Sequence, residues 1–150
     1  MAMSAEDTMS SRSPQRIPLV RILTGTIAAI VAATVVNVIV FSIGDAAGAF
    51  PDDFRFTAPG GGETSMGIGN VIFSTALYLA LGGIVLAIVN RLSSRPVRTF
   101  VYVAVAVCVL SFIQPFTLED APGDMIAFLL LMHLLAAVIG VWVMIKVATS

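Results

Sequence analysis

Apolar residues occupy this chain in long unbroken runs, and polar residues gather in the gaps between them. The runs cover about residues 22–44, 67–89, 100–118 and 125–145. A helix needs about 20 mostly apolar residues to cross the hydrocarbon core of a bilayer, and each run meets or approaches that length. The pattern predicts an all-α fold. It is an antiparallel four-helix transmembrane bundle that makes one integral membrane domain of residues 1–150. Residues 1–16 are rich in Ser, Met and charge and lack helical periodicity, so they are expected to form a disordered tail.

The gaps fit the same plan. Residues 90–99 are few and basic, which makes the second and third spans neighbours, with Pro96 in the turn or at the start of span three. Pro122-Gly123 breaks the chain before span four, and Asp120 or Asp124 is placed to cap that helix. Pro115 removes a backbone hydrogen bond late in span three, so the helix should end or kink there. The longest gap, 45–65, carries Phe50, Phe54 and Phe56, then Pro59-Gly60-Gly61-Gly62. It should lie on the bundle's outer end, or act as a small lid over an outward cavity. Its glycine run lacks the Gly-Lys-Ser/Thr ending of a phosphate loop.

Inside the spans polar residues are few: Asn37, Asn70, Tyr78, Gln114 and His133. His133 lies nine residues from Asp124 and Asn37 eight from Asp45, which puts both about 12–14 Å below the outer boundary. Small and polar residues also repeat along helix faces. Gly25, Ala29, Ala33 and Asn37 form one stripe. Asn70, Ser74, Tyr78 and Gly82 form a second, and His133, Ala136, Ala137 and Gly140 a third. Small residues allow close helix approach in lipid, so each stripe is expected to face the bundle interior. Two readings follow for the polar residues. They are bonds that fix helix register, of about 0.6 kcal/mol on average. Alternatively, His133, Asn37 and Gln114, with Asn70 and Tyr78, line an outward-facing ligand pocket.

Charge adds orientation. Arg12, Arg16, Arg21, Arg91, Arg95, Arg98 and Lys146 fall on one side, and of 8 basic residues only Arg55 falls on the other. Asp45, Asp52, Asp53, Glu63, Glu119, Asp120 and Asp124 lie opposite. Lys and Arg near span ends stay in the cytoplasm, so both termini are expected there. Ala47-Gly48-Ala49 resembles a signal-peptide cleavage site. The apolar run before it exceeds the 7–15 residues of such a peptide, so span one is expected to be retained.

Composition excludes several classes. The chain is 58% hydrophobic and 11% charged, against about 25% charged in soluble domains. Its mean hydropathy is +1.00. A net charge of −1 gives no case for nucleic acid. Cys108, alone, forms no internal disulfide or CxxC pair. No carboxylate lies deep in a span, which argues against proton-coupled antiport. No Cys, His and carboxylate cluster suits a metal, and Ser111 and Cys108 have no evident activating base. No enzyme activity and no cofactor is expected.

Span four reads Leu130-Leu131-Met132-His133-Leu134-Leu135-Ala136-Ala137-Val138. With Asn37 in span one and Pro115 late in span three, it resembles a family of small four-span membrane proteins from actinobacteria and related bacteria. That family is of unknown function, and the resemblance covers about residues 17–147. It implies a bacterial plasma membrane location and the same architecture, and it transfers no activity to His133. The expected role is a structural or accessory protein, lodged in the bilayer, that forms a homo-oligomer or joins a larger complex. One alternative is a small transporter or lipid- or ligand-binding protein with a cavity around His133. The other is a redox subunit in which His133 binds haem or a quinone.

Overall fold

The structure is a computed structural model that describes residues 16–57 and 61–150. The tail expected at 1–16 lies outside the described residues except for Arg16. Helices α1 (Leu19–Ala46), α2 (Ile68–Leu92), α3 (Pro96–Ser111) and α4 (Gly123–Thr149) account for most of the chain. A 3-10 turn, Gln114–Thr117, extends α3. All four helical segments have the length and composition to cross a membrane, with mean hydropathy from 2.0 to 2.6. The fold is all-α apart from one feature that helical periodicity does not reveal. Strands β1 (Arg55–Thr57) and β2 (Glu63–Ser65) pair antiparallel within the 45–65 connection, with Phe56 opposite Thr64.

Local chemistry sets the helix boundaries. Pro18 stands just before α1 and Pro96 opens α3, positions where the missing N–H has no intrahelical role. α3 stops at Ser111, and Pro115 sits in the following 3-10 turn. Asp124 Oδ1 accepts the Met125 N–H at 2.9 Å. Asp120 instead takes a left-handed backbone conformation, φ 57°, in the turn before α4.

α1 is the helix on which α2 and α4 are built. Its buried face is Ile22, Gly25, Thr26, Ala29, Ala33, Asn37, Phe41 and Gly44. Its exposed face carries Leu23, Ile27, Val31, Val35, Ile39 and Ile43. Small residues inside and branched aliphatics outside is the arrangement expected where the solvent is lipid. The glycines mark the closest approaches. A Cβ on Gly25 would lie 2.7 Å from the Met144 backbone oxygen of α4. One on Gly83 of α2 would collide with the Thr26 side chain, and one on Gly140 of α4 with Leu79 of α2.

These contacts correct the orientation expected for α2. Of the stripe Asn70, Ser74, Tyr78 and Gly82, none is fully buried: Tyr78 is exposed and the other three are half-buried at the edge of the interface. The buried face is Val71, Thr75, Gly83, Leu86 and Asn90, and Tyr78 is 63% exposed. The contact of Thr26 with Gly83 rotates α2 by one residue, about 100°. In α4, Gly140 is buried, while His133, Ala136 and Ala137 are half-buried. Met125, Leu129, Met132 and Met144 fill most of that interface. Flexible Met side chains follow the irregular surface left by α1's small residues.

The buried side chains form two groups, one at each end. Phe41, Ala49, Phe50, Val71, Met125, Leu129 and Met132 cluster near the acidic connections. Ile22, Ala29, Leu86, Phe100 and Met144 cluster near the basic ones. α3 borders α2 and α4 but contributes only Phe100 to the buried set.

Gly25→Ala is expected to lower stability by about 1–3 kcal/mol, the usual cost of overpacking, although Ala favours helix. A Cβ on Gly82 meets only Met144 Cε, at 3.8 Å, so Gly82→Ala should leave stability unchanged or raise it. Thermal unfolding of both variants in detergent checks this. Equal midpoints would remove the α1–α4 backbone contact as a constraint.

Candidate functional site

A polar group inside hydrocarbon must find a partner within the protein. Asn37, 4% exposed, donates from Nδ2 to Thr75 Oγ1 at 3.1 Å, linking α1 to α2. Asn90, 3% exposed at the other end of α2, bonds the chain just before α1 in both directions. Its Oδ1 accepts the Ile17 N–H at 3.0 Å, and its Nδ2 donates to the Ile17 carbonyl at 2.8 Å. Ile17 precedes the helix, so these groups have no helical partner. The side chain of Asn90 replaces one.

Hydroxyls mostly bond their own helices. Thr26 Oγ1 donates to the Ile22 carbonyl at 2.8 Å, and Ser74 Oγ to that of Asn70 at 2.7 Å. Two atoms depart from this. Thr34 Oγ1 and Asn37 Oδ1, a turn apart on α1, are buried with no hydrogen-bond partner. An unmade buried bond costs about 1–3 kcal/mol, so the Asn37–Thr75 contact specifies a register more than it adds stability.

The five residues expected to line a pocket are placed as follows. His133 is half-buried, with Nδ1 2.7 Å from the Leu129 carbonyl one turn back. A carbonyl only accepts, so Nδ1 carries the proton and donates. Asn70 Nδ2 donates to the Ser65 carbonyl at 2.6 Å and ties the start of α2 to β2. Gln114 is exposed in the 3-10 turn, and Tyr78 points away from the bundle. Asn37 bonds Thr75, so none of these contacts joins two of the five.

The acidic end is closed by the first connection. Phe50 turns inward, its ring 4.7 Å from Phe41 and 6.0 Å from Phe128. Gly44 makes room for it, since a Cβ there would lie 2.7 Å from Phe50 Cε2. A polar surface hollow of about 420 Å³ lies outside this plug, lined by Asp53, Arg55, Glu119 and Asp120 among others. Among the described residues no group of His, Cys, Asp and Glu is arranged to hold a metal ion. A larger apolar groove, about 630 Å³, runs between α3 and α4 past Val105, Cys108, Val138 and Trp142. None of the five expected pocket residues lines either cavity.

Sequence reasoning missed Thr75 and Asn90. An Asn next to Arg91 reads as a loop residue, and only its two bonds to Ile17 reveal a helix-end clamp. The groove gave no signal, because its walls are Val, Ala and Leu like the rest of the spans.

Asn90→Ala should speed hydrogen exchange at the Ile17 amide and lower the unfolding midpoint. Asn90→Asp keeps the acceptor, loses the donor and should fall between. Exchange at Ile17 unchanged in Asn90→Ala would show that the clamp holds nothing.

No curated protein and no solved structure matches the chain. The profile of a family of unknown function, DUF6069, matches residues 18–150, and the chain belongs to this family.

Proposed function

We propose that this is a non-enzymatic structural or accessory protein of the bacterial plasma membrane, which associates with itself or with a larger membrane complex. On this reading the bundle is antiparallel with both ends cytoplasmic. The observation that carries it is the use of the intramembrane polar side chains. Asn37 joins α1 to α2, Asn90 clamps Ile17, and His133 bonds its own helix. Each is engaged in holding backbone or a neighbouring helix.

Two further features support it. Arg16 and Arg21 precede or open α1, Arg91 closes α2, Arg95 and Arg98 begin α3, and Lys146 ends α4. Ile22, Leu86, Phe100 and Met144 bring these four helix ends together. The positive charge is thereby concentrated at one end, which is retained in the cytoplasm. α3 has one buried residue and leaves Val107, Val109 and Leu110 exposed. In the plane of a membrane such a face is open to a neighbouring helix.

Gentle detergent purification followed by absorption and native mass on one sample tests the reading. A colourless protein is expected, at two or more times the 15.7 kDa of one chain or with a copurifying chain, apart from bound lipid. A Soret band, or a strict monomer without partner in detergent and in nanodiscs, would overturn it.

A further inference from the structure

We propose that the groove between α3 and α4 holds one anionic phospholipid of the leaflet at the basic end. An acyl chain lies along the groove, and Lys146 and Arg98 bind the phosphate.

The groove is a consequence of how α3 is attached. Phe100 fixes the start of α3 against Ile22, Leu86 and Met144, and beyond Phe100 no residue of α3 is buried. The helix is held at its basic end by Phe100 and, past its other end, by the buried Pro115 of the 3-10 turn, and between the two it leaves space beside α4. The space between them, about 630 Å³, is bounded by apolar side chains until it reaches Lys146. In a bilayer a gap of this kind is filled by hydrocarbon.

Length favours a lipid over a helix. The lining runs from Val101 to Phe112 on α3 and from Leu134 to Lys146 on α4. At 1.5 Å per residue this is about 16–18 Å, near half of the ~30 Å hydrocarbon core. That is one leaflet. A transmembrane helix from a second copy would require a surface running the full depth.

Charge favours an anionic headgroup. Lys146 is itself part of the lining, with Nζ 4.8 Å above the Trp142 ring. Arg98 is exposed just outside the lining, one turn before the lining residue Val101. Its guanidinium carbon is 5.6 Å from the Tyr102 ring centre, and Nε donates to Tyr102 Oη at 3.0 Å. That bond does not use the terminal nitrogens, which form the fork suited to phosphate. Trp142 and Tyr102 mark the depth of the interface, where such rings sit. Among the described residues every Asp and Glu lies at the opposite end, in the connections or in the helix turns next to them. Basic recesses between membrane helices on the cytoplasmic side are suited to anionic headgroups. The groove belongs to α3 and α4 of one chain, so it stands whether or not the protein self-associates.

The test uses the full chain in nanodiscs of equal phosphatidylglycerol and phosphatidylcholine, released into native mass spectrometry. Wild type should retain one phosphatidylglycerol over phosphatidylcholine by about tenfold or more, as two cations near a headgroup provide. Arg98→Gln with Lys146→Gln should lose that preference. Arg21→Gln with Arg91→Gln removes equal charge from the same end outside the groove and should keep it. Ala137→Phe fills the groove with the cations intact and should lose the bound lipid, with helicity by circular dichroism confirming the fold. Equal retention of both lipids by wild type, or unchanged preference in the Arg98 and Lys146 variant, would overturn the proposal. So would a groove-dependent dimer in place of bound lipid.

Discussion

A helix in hydrocarbon gains little by burying one large aliphatic side chain against another, because lipid tails offer the same surroundings. What remains is close backbone approach, and here it depends on the small-residue face of α1. Gly25 lies so near the Met144 carbonyl that no Cβ fits between. Ala29 and Ala33 continue the seam with no exposed surface. Thr26 fits against Gly83 on the other flank. Once α1 is fixed between α2 and α4, the rotation of each neighbour follows, and so does the fate of every polar residue they carry.

That rotation explains why the polar residues do not converge. Thr75 rather than Ser74 meets Asn37, and Tyr78 turns to lipid. His133 satisfies one ring nitrogen on its own helix. The acidic end, where a cavity would have opened, is filled by Phe50 between Phe41 and Phe128. The free space lies instead beside α3, whose own residues supply only Phe100 to the buried set, with Pro115 of the following turn buried at its far end. A seam that needs glycine on α1 and methionine on α4 leaves nothing comparable for the Val-rich α3 to grip.

Much of the fold was legible because span length is set by the bilayer and needs no partner to be read. Pro115 signalled the end of α3 for the same local reason. The face of α1 was legible too, since its small residues recur every four positions against branched aliphatics. α2 was not. It offers two adjacent candidate faces, Asn70-Ser74-Tyr78-Gly82 and Val71-Thr75-Gly83-Asn90, and contacts with residues of α1 and Ile17 decide between them. The β1–β2 hairpin was missed because its strands are three residues each. Within the candidate site, Asn37 was readable as a buried residue, but its partner Thr75 was not. The resemblance drawn from Asn37, Pro115 and His133 agrees with membership of the family matched over residues 18–150.

The most direct test is a pair of double-mutant cycles measured by reversible unfolding in a bilayer-like medium. One pairs Asn37→Ala with Thr75→Ala, the other Asn37→Ala with His133→Ala. If the polar residues serve helix register, the first pair couples by about 0.6 to 1.7 kcal/mol and the second by nothing measurable. Additive effects for Asn37 and Thr75, with coupling between Asn37 and His133, would contradict this and restore a shared pocket.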